Sequence, residues 1–184
     1  TGTFRQFGVA FPLELKAGDA GKPNRPQEPE SPLGYKTEEV TFTNQKAHVS
    51  LAGTLTYPVN YTPDKKVPVV IMVTGSGAQN RDEEVFAHKP FRVIADYLAK
   101  QGIASLRYDD RGVGQSTGNQ AGCTSADFAE DAACGLSWLK SSGKFNQVGI
   151  LGHSEGGLIA FMLGAEGKAD FLVSMAGPGI FYGL

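Results

Sequence analysis

The chain has 184 residues, enough to bury a core but short of the roughly 200 to 250 residues over which complete α/β enzymes commonly run. Its 17 Lys+Arg against 19 Asp+Glu give a formal net charge of -2, and no basic run is interleaved with aromatics, so no nucleic-acid partner is expected. The longest apolar stretch, Val67 to Val73, contains Pro68 and falls far below the roughly 20 apolar residues of a membrane span, so no membrane partner is expected either.

Thr3 to Leu15 alternates apolar and polar residues as a strand does. A lone strand has nothing to pair with, so residues 1–17 read as the terminal strand of an N-terminal β domain that is otherwise missing. No series of basic, apolar and small residues follows Thr1, so no signal peptide is read. Gly18 to Tyr35 is proline-rich with interspersed charges, which suits an extended linker, placed at residues 18–36. Residues 37–184 then form the main, incomplete domain. It opens with the β-rich runs Glu39 to Thr43 and Val49 to Tyr57, joined through Asn44-Gln45-Lys46 as an antiparallel hairpin at a sheet edge.

From Val67 the pattern changes to continuous β-branched runs, the mark of strands covered on both faces. Val67 to Val73 is followed by similar runs at Ile103 to Tyr108, Val148 to Leu151 and Phe171 to Met175. Between them, Phe91 to Lys100, Ser125 to Lys140 and Gly157 to Leu163 space their apolar residues as helices do. The second helix is expected to start at an N-cap of Thr124 or Ser125 and to close at Gly143. Alternating strands and helices of this kind predict an α/β fold: a mostly parallel sheet with right-handed crossovers, helices on both faces, and the functional site at the carboxyl ends of the strands.

Cys123 and Cys134 match neither a zinc ligand pair nor a CxxC redox pair, and no metal or cofactor is expected. On one continuous helix they would stand about 16 Å apart, too far for a disulfide. Two reduced thiols are one reading, and a bridge in an exported protein the other.

The chemistry is expected at the turn after the third buried run, Gly152-His153-Ser154-Glu155-Gly156, which has GxSxG spacing and leads directly into a helix. A serine on so sharp a strand-to-helix turn is exposed above the sheet, and the flanking glycines let neighbouring chain pass without a Cβ. Ser154 is therefore the candidate nucleophile, and the helix N-terminus behind it offers free N–H groups to an oxyanion. The Glu155 N–H is one candidate donor. The other is the N–H of Ser76, in Thr74-Gly75-Ser76-Gly77-Ala78 at the end of the first buried strand. The polar loop Asn80-Arg81-Asp82-Glu83 either contacts substrate or is merely solvated. Asp109 and Asp110 beside Arg111 read as a local ion-pair and hydrogen-bond network rather than as catalytic acids.

A serine nucleophile needs a base, and the histidines are His48, His88 and His153. His153 precedes Ser154, so its ring is expected to point away from the face that Ser154 uses and to serve packing or hydrogen bonding. His88 falls in the loop after the oxyanion turn and His48 in the edge hairpin. Neither is placed as a base.

Residues from about Val67 to Gly179 resemble the α/β-hydrolase superfamily, and TGSG, YDDRGVGQS, GHSEGG and MAGPG together resemble its bacterial serine-hydrolase branch of esterases and S33-type aminopeptidases. The resemblance implies the triad order Ser, Asp or Glu, His, with acid and base on loops after later strands. The turn Ala176-Gly177-Pro178-Gly179, where some relatives carry an early acid, holds no carboxylate. Acid and His are therefore expected from a missing C-terminal half or a second chain, and residues 1–184 alone are expected to be inactive. The segment FRQFGVAFPLEL with RPQEP resembles the junction ahead of the catalytic domain in exported bacterial hydrolases, which implies a periplasmic or secreted protein. The implied function is cleavage of a small-molecule carboxylic ester through an acyl-enzyme on Ser154, because no carboxylate cluster announces recognition of a free amino terminus. An aminopeptidase or acyl-peptidase of the same fold is the alternative, as is a catalytically incomplete module with a structural or binding role.

Overall fold

A computed structural model describes residues 2–14 and 24–179; residue 1, residues 15–23, where the expected linker begins, and residues 180–184 lie outside the described residues. In chain order the elements are β1 (Gly2–Gln6), β2 (Val9–Leu13), β3 (Thr37–Asn44), β4 (Val49–Thr56), β5 (Val67–Val73), α1 (Pro90–Lys100), β6 (Ala104–Tyr108), α2 (Ser125–Ser141), β7 (Phe145–His153), α3 (Glu155–Ala165) and β8 (Leu172–Met175). A run such as VPVVIMV has no polar face to show to water, so it is stable only between two layers. Accordingly β5 lies inside a six-stranded sheet of order β3-β4-β6-β5-β7-β8.

β5 pairs in parallel with β6 and β7, and β7 in parallel with β8, whereas β3 with β4 and β4 with β6 run antiparallel. The expected parallel sheet with an antiparallel hairpin at its edge is what forms. Pro68 cannot donate to a ladder, and the β5–β7 register shifts between Val67 and Pro68, an irregularity that accommodates the missing N–H.

Alternate side chains of the buried strands feed two cores. Val70, Met72 and Leu151 meet Phe91 and Ala95 of α1 on one face. On the other, Val69, Ile71 and Ile150 belong to the cluster of Leu136 and Leu139 from α2 and Ile159 and Leu163 from α3. Burying each of the larger of these side chains contributes about 1.5 to 3 kcal/mol, which fixes the helices to both faces of the sheet.

The helix limits follow local signals. Pro90 opens α1, where its missing N–H is no loss. At the start of α2 the Thr124 N–H and hydroxyl both donate to Asp127 Oδ2 at 2.8 Å, and Gly143 takes φ 68° just past its end. Cys134 lies within α2 and Cys123 just ahead of it, and both are free thiols.

Two elements depart from expectation. The run expected over Thr3 to Leu15, of which Leu15 lies outside the described residues, is not one strand: Gln6 pairs with Val9, and Phe7 and Gly8 at φ 50° and 79° make a two-residue turn between β1 and β2. The two-residue alternation runs straight through Phe7-Gly8, so the pattern does not announce the reversal. The edge hairpin likewise turns later than expected, over residues 45–48 with His48 at φ 53°. Among the described residues no helix is long and apolar enough to cross a membrane.

Candidate functional site

The carboxyl ends of β5, β6 and β7 come together above the sheet, and each hands over to a tight turn rich in small residues. After β7, Ser154 takes φ 53° and ψ -115° and caps α3. No L-residue adopts that backbone without cost, so surrounding contacts must impose it. A Cβ on Gly152 would lie 1.9 Å from Gly156 O, and one on Gly156 would lie 2.1 Å from Val73 O. Only glycine fits at both positions, and the chain can therefore fold back tightly over the end of β5. The Ser154 N–H donates to Met175 O at 2.9 Å, tying the turn to the end of β8.

Ser154 borders an open cleft of about 400 Å³ together with Gly75, Ser76, Glu83 and His153. Among the described residues, the amides of Ser76 and Glu155 have no hydrogen-bond acceptor. Glu155 is the first residue of α3, so its N–H is one of those a helix leaves unsatisfied, and its side chain is held by the Ser125 hydroxyl at 2.6 Å. The structure thus brings Ser154 and Ser76 to one cleft, with Glu155 following Ser154 at the start of α3. Of the Ser76 and Glu155 amides, that of Glu155 lies at a helix N-terminus, where the partial positive charge favours an anion.

The loop after β5 is not merely solvated. Arg81 donates to both oxygens of Asp109, at 3.1 Å from Nε and 2.7 Å from Nη2, and reaches Thr54 Oγ1 at 2.8 Å. Asp82 pairs with the buried Arg107. Burial alone would raise the Asp109 carboxyl, but its hydrogen bonds from the Arg81 side chain and from the Arg81 and Gln115 amides outweigh this and hold it below its ordinary value. Asp110 accepts from the Thr74 hydroxyl at 2.8 Å and the Gln79 N–H at 3.1 Å. Its burial, with the negative charges of Asp131 and Glu83, overrides those bonds and pushes its pKa up to about 7.

Arg111 does not pair with its carboxylate neighbours: it crosses to Asp131 of α2, at 2.7 Å from Nε and 2.8 Å from Nη2. A network forms here as expected, but its partners are Arg81 and Asp131, far away in the sequence.

The histidines divide as follows. His48 stays in the edge turn, and His88 Nδ1 lies 3.7 Å from Glu28 Oε1. His153 is a hydrogen-bonding residue of the turn, with Nδ1 at 2.8 Å from Glu83 Oε1. Its ring does not leave the site, however: it borders the same cleft as Ser154, because the turn at Ser154 breaks the strand alternation on which the opposite expectation rested. Glu83, which the sequence offers only as one member of a polar loop of open role, borders this cleft as well. Nothing in its local pattern signals it, since its partners Gly75 and His153 are brought to it only by the fold. Among the described residues no three His, Cys, Asp or Glu side chains converge as a metal site requires.

With this geometry in view, the family model described as serine aminopeptidase, S33, matches residues 88–179. The chain is 32% identical over 147 residues to the esterase EstD of Thermotoga maritima, covering 80% of this chain and 34% of that protein. It is similar in structure to the Pyrococcus furiosus esterase Pf2001, with a TM-score of 0.64 at 25% identity, over 79% of this chain and 53% of that one. It is also similar to XC6422 of Xanthomonas campestris, a serine hydrolase without a lid, with a TM-score of 0.61 at 19% identity, over 80% and 64% of the two chains. The chain therefore spans about a third of the length of EstD.

Proposed function

This chain belongs to the serine aminopeptidase S33 family and carries its α/β-hydrolase fold, and from that premise we propose that Ser154 is the nucleophile of a carboxylic ester hydrolase. The observation that carries the proposal is Ser154 held at φ 53° on the rim of a cleft, beside the unsatisfied amides of Ser76 and Glu155. In this reading the Ser154 hydroxyl attacks the ester carbonyl carbon. The carbonyl oxygen, now an oxyanion, accepts hydrogen bonds from the Ser76 and Glu155 amides. Collapse of the tetrahedral species expels the alcohol and leaves an acyl group on Ser154, and water then releases the acid.

The base that takes the Ser154 proton, and the acid that orients it, are proposed to come from sequence outside residues 1–184 or from a second chain. His48 and His88 stand in other surroundings, and His153 is committed through Nδ1 to Glu83. The ester reading draws further support from the esterase relatives, EstD and Pf2001. The family description itself favours a second reading, an aminopeptidase.

The two separate in one experiment on the full-length protein that carries this chain. Labelling by a fluorophosphonate probe, with turnover of p-nitrophenyl acetate abolished by Ser154→Ala, is expected. Turnover of an aminoacyl p-nitroanilide well above that of the ester would establish the peptidase instead. An enzyme that is never labelled at Ser154 would sink both.

A further inference from the structure

Two parts of the candidate site meet on one carboxylate. Glu83 is 4% exposed and stands at φ 51°. Its Oε1 accepts two hydrogen bonds, from the Gly75 N–H at 2.7 Å and from His153 Nδ1 at 2.8 Å. Gly75 immediately precedes Ser76, and His153 immediately precedes Ser154. One buried oxygen therefore spans the two peptide segments whose relative placement decides whether an oxyanion formed at Ser154 meets the Ser76 amide. A Cβ on Gly75 would stand 3.2 Å from both Glu83 Oε1 and Ser154 Cβ, which shows how closely these groups converge.

The turn that carries Ser76 has little restraint of its own, since it is flanked by Gly75 and by Gly77 at φ 97°. Its geometry is set by what it is bonded to. On one side Asp110 holds Thr74 and Gln79, and on the other Glu83 holds Gly75. Because a carboxylate oxygen accepts, the bond to His153 places a proton on Nδ1 and fixes the ring. The left-handed backbone at Glu83, in a residue that is not glycine, is a further sign that this side chain is aimed by its surroundings and not by local preference.

We infer that Glu83 is a positioning residue that, through the Gly75 amide and His153, keeps the Ser76 N–H and the Ser154 hydroxyl in register for oxyanion capture. This rests on the assignment of Ser154 and Ser76 proposed above. Misplacing preorganised donors affects the transition state more than the ground state, so the loss falls on kcat and not on KM.

The test uses the full-length enzyme, with p-nitrophenyl acetate kinetics as a function of pH, fluorophosphonate labelling and melting temperatures for His153→Leu, His153→Asn, Glu83→Ala and Glu83→Gln. The His153 side chain is 40% exposed, so its variants are expected to fold even where Glu83→Ala does not. Asn retains an N–H donor near Nδ1, and Leu does not. His153→Leu is expected to lower kcat by about 10- to 100-fold, less than the 10²- to 10³-fold loss of a whole oxyanion donor, with KM within about twofold. Recovery to within about fivefold is expected for His153→Asn, and Glu83→Gln, which keeps an acceptor oxygen, should lose less than Glu83→Ala.

Unchanged kcat in His153→Leu, with an active wild type, would overturn the inference alone. His153→Asn as inactive as His153→Leu, with the pH profile losing the limb of an essential base, would overturn it in favour of His153 as a base. A wild type that neither hydrolyses the ester nor is labelled at Ser154 would overturn the hydrolase assignment, and this inference with it.

Discussion

At Ser154 a strained backbone is imposed by its neighbours' lack of side chains. Gly156 sits against the rigid backbone of β5, with a substituent's Cβ at 2.1 Å from Val73 O. Gly156→Ala is therefore expected to cost about 3 kcal/mol or more, read as a fall in the denaturant midpoint, because neither partner is a side chain that can move aside. Asp110 carries a prediction of a different kind. Burial raises its carboxyl from the model-compound value of 3.8 to about 7, so the folded state holds this proton more tightly than the unfolded chain. For an acid shifted upward, stability is highest while the group is protonated in both states, and it declines as pH rises from about 4 to about 7. Asp110→Asn removes that titration. Melting temperatures measured from pH 5 to pH 8 should therefore shift in favour of the variant, relative to wild type, as pH rises; a constant difference across that range would refute the assignment.

The elements are held together by ion pairs that join distant segments. Asp131 of α2 accepts from Arg111, after β6, and from Asn44 Nδ2, at the end of β3, at 2.7 Å. Both Arg111 and Asp131 are buried. Asp131→Ala would leave the Arg111 guanidinium without its partner away from water, and a loss of about 3 to 5 kcal/mol in urea unfolding is expected. The N-terminus of α2 gives a smaller effect. Asp127→Ala removes the acceptor for both the Thr124 N–H and its hydroxyl, and about 1 kcal/mol is expected, with no change in the site. Of these two features only the cap is readable in the chain, because Thr124 and Asp127 are three residues apart and locally bonded. Arg111 and Asp131 are joined by tertiary packing.

Across the molecule, protection should follow layering. Leu51, Ile71, Leu106 and Ile150 are fully buried in the main core, whereas Phe4, Val9, Phe11 and Leu13 of the β1–β2 hairpin remain 41 to 52% exposed. A two-stranded hairpin with no buried face has little stability of its own. Hydrogen exchange is expected to open β1 and β2 rapidly and to leave the amides of β5 and β7 among the slowest, limited by global unfolding. Comparable protection of the two regions would mean that the hairpin is covered by a partner.

By itself the sequence determined the class of fold and where to look in it. Continuous β-branched runs demand two covering layers, helical spacing supplies them, and Gly152, Ser154 and Gly156 mark a turn that few other residues could make. Such features act within a few residues along the chain, so they are legible there. Only the tertiary structure decided that Phe7-Gly8 reverses the N-terminal run, that Arg81 and Asp131 are the partners of the carboxylate-rich turn, and that Glu83 ties Gly75 to His153. The contacts of Arg81 and Asp131 with that turn, and of Glu83 with Gly75 and His153, join residues up to 70 positions apart, and their energy comes from charged groups drawn out of water and brought together by packing. No local pattern of hydrophobic or polar residues encodes which distant group will arrive.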